Sequence, residues 1–216
     1  ELINFYLIFF LICFQGFIGW YMVSSGLVNR IDVSHFRLSV HLFIAFLILS
    51  LILWNFLKIN KNNNTSHKIN PLIPFLFLIL VFIQIIIGAF VSGMDAGKIY
   101  NSWPFMGNTY FPNDNNFINL FKLTAFSDQS LVQFMHRNLA YLIGISYILI
   151  LVKIYKNKKY DLYKSINYLG IFIILQIILG IFTVLFGAQI YVASLHQISS
   201  IFLVSSSIYF FYLNTK

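Results

Sequence analysis

Apolar stretches long enough to cross a bilayer recur six times along the chain, separated by polar gaps that are mostly short. They cover residues 2–23, 38–57, 72–93, 129–153, 166–187 and 190–212. At ~1.5 Å per residue, a helix of that length crosses about 30 Å of hydrocarbon. Helix is the expected conformation, because an open sheet would leave backbone N–H and C=O groups unpaired in lipid. One gap, residues 94–128, is much longer than the others and carries Asp95, Trp103, Pro104, Tyr110 and Pro112. A connection of that length is usually functional or disordered. Its aromatic content favours an ordered cap on the membrane surface. The stretch NKNNNTS, residues 60–66, reads as a solvated linker.

Composition agrees with this pattern. The chain is 59% hydrophobic and only 9% charged, where a soluble domain carries about a quarter charged residues. The fold class expected is an all-α membrane protein. The formal net charge of +8 does not point to nucleic acid, because the basic residues sit in the gaps between apolar runs. Lys58, Lys61, Lys68, Lys153, Lys156, Lys158, Lys159, Lys164 and Lys216 fall on one side if the spans alternate. Arg30, Arg37, Lys98, Lys122 and Arg137 fall on the other, offset by Asp32, Asp95, Asp114 and Asp128. The lysine-rich side is therefore expected to be cytoplasmic, or matrix-facing in an organelle. The single cysteine, Cys13, lies within an apolar run. It excludes an intramolecular disulfide and reads as a small core or lipid-facing residue. The apolar run begins directly after Glu1 with no basic stretch before it. It does not read as a signal peptide, and upstream sequence is expected to be lacking.

Ionisable groups inside the spans are few, so the histidines stand out. His67 belongs to the Asn-rich gap and His35 lies just outside the second span, whereas His41, His136 and His196 lie within spans. All three are expected about 8–10 Å below the outer surface. A histidine in a span can simply bridge helices by a hydrogen bond. Three at one depth favour ligation, since polar groups there cost free energy to bury. No Asp, Glu or Cys lies near them at that depth to complete a zinc or carboxylate site. Neutral imidazole in an apolar surround suits haem iron. Arg137, beside His136, is then a partner for haem propionates. Arg37, one helical turn before His41, could serve a second haem or merely snorkel to the interface. A weak repeat, Q-x-x-[IL]-G, occurs at Gln15–Gly19, Gln84–Gly88 and Gln176–Gly180. The first and last copies each precede a helix with a histidine near its outer end, which suggests two related helix pairs.

These motifs resemble the heme A synthase family, of the mitochondrial and proteobacterial type. The resemblance rests on QGFIGWYMVSSGLVNRIDVSHFRLSVHL (15–42), GAFVSGMDAGKIYNSWPFMGNTYFP (88–112), QFMHRNLAY (133–141) and LHQ (195–197). The segment from Asp95 to Pro104, D-A-G-x-x-Y-N-x-W-P, is the most specific part. The resemblance implies eight transmembrane helices in two four-helix halves related by a pseudo-two-fold axis, six of them seen here. On that basis residues 1–57 are expected to be the second helix pair of the N-terminal, substrate-haem half. Residues 58–71 are a cytoplasmic linker, and 72–216 the C-terminal half.

The resemblance further implies that His136 and His196 hold the iron of a haem b, and that His41 is one of two ligands to the substrate haem. The reaction implied is oxidation of a ring methyl of haem O to a formyl group, giving haem A for cytochrome oxidase. Haem O synthase and cytochrome oxidase assembly proteins are the implied partners. The family's catalytic glutamate, in an E-x-x-H-R motif, has no counterpart in residues 1–216. The corresponding position beside His136 is Gln133. These residues alone are therefore expected to be inactive in the chemical step. A cysteine pair found in some members is absent too. The rival readings are a b-type electron-transfer cytochrome, which would place haems near both surfaces, and a transporter or assembly factor without redox chemistry.

Overall fold

The computed structural model describes residues 2–26, 33–59 and 68–215. The expectations made for Glu1, Arg30, Asp32, the 60–66 linker with Lys61, His67 and Lys216 lie outside the described residues. Six helices are long and apolar enough to cross a membrane, and no β-strand forms among the described residues. They are α1 (Leu2–Gly26), α2 (His35–Ile59), α3 (Leu72–Gly93), α4 (Gln129–Lys156), α5 (Tyr163–Leu185) and α6 (Ile190–Thr215). The protein is a multi-pass integral membrane protein.

The helix ends depart from the apolar runs where polar chemistry continues a helix. His35, expected just outside the second span, is the first residue of α2, and Leu38 N donates to Ser34 O at 3.0 Å. At the far end, α4 runs three residues past its apolar run to Lys156, and Lys153 and Lys156 lie in its last turn, where cations complement the carbonyl end of the dipole. Its first turn is capped by Asp128, whose carboxylate accepts from Leu131 N at 3.0 Å, a favourable charge at a helix N-terminus.

Packing is centred on α3 and α6. Helix α3 lies against α2, α4 and α6, while α6 lies against α2, α3 and most extensively α5. The shared core includes Phe77, Val81, Ile154, Ile166, Val204 and Phe210. Helix α1 packs on α2, and among its described side chains only Ile8 is buried. Cys13 on that helix is exposed, the lipid-facing alternative. Helices α4 and α6 make no extensive direct contact.

Both ends of the bundle are tied by hydrogen bonds. At the lysine-bearing end, Tyr212 donates to Leu57 O at 2.6 Å. Asn214 exchanges two bonds with the Ile69 backbone, at 2.8 and 2.9 Å. At the other end, residues 94–128 form three short 3-10 turns, Ala96–Lys98, Phe117–Phe121 and Leu123–Ser127. The Asp95–Pro104 motif is where this connection docks. Asp95 enters the first turn in the left-handed conformation. A Cβ on Gly97 would meet Ala188 Cβ at 3.0 Å, so only glycine lets the turn sit this close to the α5–α6 connection. Asn101 donates to Val184 O at the end of α5, at 3.1 Å.

Candidate functional site

His41, His136 and His196 stand six, seven and six residues after the first residues of α2, α4 and α6. At ~1.5 Å per residue they share one level, about 10 Å from the helix starts. The structure brings two of them together. The rings of His136 and His196 have centroids 6.5 Å apart with planes at 83°. Each ring has a buried Nδ1 with no hydrogen-bond partner. An unpartnered buried polar atom costs about 1–3 kcal/mol; His41 Nδ1 is left in the same state, so each of the three rings keeps one nitrogen for a ligand. With metal–nitrogen bonds of ~2.0 Å, two imidazoles on opposite faces of one metal place their centroids roughly 6 Å apart. The helices that carry them, α4 and α6, are not packed directly together, which suits a planar guest between the rings. The residues therefore fit a metalloporphyrin with two axial histidines. Among the described residues no group of three or more His, Cys, Asp or Glu converges as a metal cluster, so the donor set is this imidazole pair.

Each histidine is held by the preceding helix in the same way. Gln84 of α3 donates to His136 O at 3.0 Å, and its amide nitrogen is 3.3 Å from His136 Nε2. One turn further along α3, a Cβ on Gly88 would meet His136 Cε1 at 3.0 Å. On α5, Gln176 donates to His196 O at 3.0 Å and also bonds Ser199 Oγ. A Cβ on Gly180 would lie 3.2 Å from His196 Cε1. On α1, Gln15 donates to His41 O at 3.0 Å, and a Cβ on Gly19 would lie 3.1 Å from His41 Cε1. The backbone hydrogen bond and the glycine contact thus recur in all three copies, whereas the glutamine amide also nears the ring nitrogen only at His41 and His136 and turns to Ser199 in the third. The middle copy also precedes a histidine helix, but the long 94–128 connection separates the two in sequence. Interhelical hydrogen bonds in lipid average only about 0.6 kcal/mol, so close van der Waals approach over the glycines is a comparable part of each clasp.

Arg137 is buried, and its guanidinium faces the outer connection. It donates to Ser102 O at 2.8 Å, Phe105 O at 3.3 Å and Tyr100 O at 2.8 Å, while Nε has no partner. Gln133, four residues earlier on the same face, donates to Tyr100 O at 3.0 Å. Gln129 reaches Met94 O, Ser130 reaches Asp114, and Asn138 accepts from Tyr110. Helix α4 therefore carries both a candidate ligand and the seat of the outer connection. The sequence marked Arg137 as polar at depth, but it held no signal for these loop carbonyls. Arg37 donates to Ser25 Oγ at 2.7 Å and lies 4.9 Å above the Tyr21 ring, tying α2 to the outer end of α1.

Outside the membrane spans, Tyr100 donates to Asp114 at 2.9 Å. Burial raises the Tyr100 pKa, and the Asp114 carboxylate adds to the rise. Burial alone would raise Asp114 as well, but hydrogen bonds from Ser130 and Tyr100 outweigh it and hold the carboxyl below its ordinary value.

Comparison with known proteins gives a consistent result. Residues 3–208 match the family model COX15-CtaA, described as cytochrome oxidase assembly protein. The chain is 48% identical over 213 residues to the heme A synthase of Pelagibacter ubique (strain HTCC1062), covering 99% of this chain and 63% of that protein. It is 40% identical over 215 residues to the heme A synthase of Rickettsia bellii (strain OSU 85-389), covering 95% and 62%. With the heme A synthase of Flavobacterium johnsoniae the identity is 41% over 204 residues, covering 91% and 59%. The chain thus spans roughly three-fifths of the length of these relatives.

Proposed function

The chain belongs to the COX15-CtaA family of cytochrome oxidase assembly proteins, and from that premise we propose that it is the haem-holding part of a heme A synthase. The reaction assigned to the whole protein is oxidation of a ring methyl of haem O to a formyl group, yielding haem A. The observation that carries this reading is the His136–His196 pair, with centroids 6.5 Å apart and a buried, unpartnered nitrogen on each ring. Those two residues would hold the iron of a haem b. Held by that pair, the group would supply one-electron transfer.

The chain's own residues set the surroundings. Helices α4 and α6 present the two imidazoles at one depth, and α3 and α5 fix them through Gln84 and Gln176. The 94–128 connection, seated on Gln133 and Arg137, covers the outer end and limits access of water. Arg137 Nε remains as a donor for a propionate. Arg37, beside His41, has the corresponding place in the substrate-haem half, with His41 as a ligand to the substrate haem. Residues 1–57 belong to that half and 72–216 to the haem b half, joined by 58–71. Gln133 stands where the family's other half carries its glutamate, and a carboxamide does not exchange protons as a carboxylate does. Residues 1–216 by themselves are therefore assigned haem binding without the oxidation step. Haem O synthase and cytochrome oxidase assembly proteins are the proposed partners. The proposed location is the bacterial inner membrane or its mitochondrial counterpart, lysine-bearing end inward.

The test is optical. Protein purified with its pigment should show low-spin haem absorbance, and His136→Ala or His196→Ala should abolish it. An unchanged spectrum in either variant would remove the ligand assignment. Mass analysis of the extracted pigment separates the readings further. Haem O or haem A beside haem b supports the synthase, while haem b alone favours a b-type cytochrome.

A further inference from the structure

The three Gln-x-x-x-Gly copies have a geometric reason for their spacing. In an α-helix the Cα–Cβ bond tilts toward the N-terminus, whereas backbone carbonyls point toward the C-terminus. Helices α2, α4 and α6 all begin at the outer end, so each histidine ring leans outward and its carbonyl points inward. The neighbouring helix runs the opposite way. Residues four apart lie on one face of it, about 6 Å apart along the axis. The inner position, Gln, meets the carbonyl, and the outer position, Gly, lies beneath the ring. The distances repeat closely: 3.0 Å from Gln Nε2 to the histidine carbonyl in all three copies. The virtual Cβ contacts at Gly19, Gly88 and Gly180 are 3.1, 3.0 and 3.2 Å, each to the histidine Cε1. Close approach also occurs at Gly93, Gly97 and Gly170 without a histidine ring, so what sets these three copies apart is the pairing of the glycine contact with the glutamine bond to the same histidine. Gly16 has nothing within 4 Å of a virtual Cβ, and Gly144 only Ile177 Cδ1 at 4.0 Å.

We propose that each Gln–Gly pair is a two-point positioning device for an axial ligand, the glutamine setting the height of the histidine backbone and the glycine setting the rotation of its ring. For His136 and His196 the device holds the two imidazole planes near perpendicular, at 83°. This rests on the bis-histidine reading above and goes beyond it, by assigning Gln84, Gly88, Gln176 and Gly180 to ligand orientation. The third copy, Gln15–Gly19, does the same for His41. Adding a methyl at Gly88 or Gly180 forces the ring to yield by a few tenths of an ångström or to turn about χ2. Ligand-plane orientation governs the g-anisotropy of a ferric low-spin haem, so the ring's rotation can be read separately from whether the protein folds.

The experiment uses the full chain titrated with haem b, with electron paramagnetic resonance of the ferric form and a redox titration as readouts. Wild type should show the large maximal g-value of crossed imidazole planes. Gly88→Ala and Gly180→Ala should shift that g-value and the midpoint potential, and weaken haem b binding roughly 10- to 100-fold, the usual effect of disturbing an outer-shell partner. Gly16→Ala should match wild type in every readout. Gln84→Met keeps the side-chain volume without the donor. It should fold and still shift the g-value, which covers the case of an alanine variant that fails to assemble. Wild-type spectra and potentials in Gly88→Ala, Gly180→Ala and Gln84→Met, with haem b bound, would overturn the proposal and leave the haem-binding reading intact. Failure of the wild-type chain to take up haem b would overturn both.

Discussion

Arg137 shows how a single residue can be legible in kind and not in role. An arginine one position after a histidine, inside an apolar run, is visible in the sequence as a costly group with a task. Its hydrogen bonds to Tyr100, Ser102 and Phe105 carbonyls depend on where the long connection folds back, which no local pattern states. The Tyr100–Asp114 pair nearby gives a pH prediction. Asp114 is held below its ordinary pKa, so its stabilising contribution is complete above the unfolded carboxylate value. It fades as pH falls through the lower folded value. Tyr100 is raised, so its contribution is complete below the unfolded phenol value and fades as pH rises through the folded one. Limited proteolysis of residues 94–128 should therefore be slowest across the neutral range and accelerate at both extremes. Asp114→Asn should flatten the acid limb; an acid limb as steep as wild type would show that another group opens the connection.

At the scale of the element, apolar length alone found all six helices, because in lipid a helix satisfies its own backbone. Helix ends were less legible. Hydropathy marks where lipid begins, and helices such as α2 and α4 continue past it through His35 and Lys156. The helix pairing was half legible. Gln and Gly four apart were visible on α1, α3 and α5, but the α3 copy meets its histidine across a long insertion, so proximity in sequence gave no guide. Close approach is a theme of these pairs beyond the histidines. A Cβ on Gly93 at the outer end of α3 would lie 2.9 Å from His35 Cα, a backbone atom that cannot swing aside. Gly93→Ala should cost about 1–3 kcal/mol as overpacking. For a chain of this size that lowers the thermal midpoint by roughly 2–12 °C. Differential scanning in detergent measures it, with Gly16→Ala as the unaffected reference. An unchanged midpoint in Gly93→Ala would mean that α2 and α3 can part there without loss.

For the whole molecule, the shared depth of the histidines was legible and the enclosure around it was not. Histidine depth follows from counting residues along apolar runs. The ties that close the bundle, Tyr212 to Leu57 and Asn214 to Ile69 inside, Asn101 to Val184 outside, join residues 83 to 155 positions apart and leave no periodic trace. Those ties bear on traffic. On the proposed reading, a haem that reaches His136 and His196 meets hydrogen-bonded ties at both ends of the bundle and apolar helix flanks beside it. Arrival from the plane of the bilayer is then the expected route. Haem b dissolved in liposomes should load the protein at the same rate before and after the 94–128 segment is locked by cross-linking. A slowed rate would move the doorway to the aqueous face.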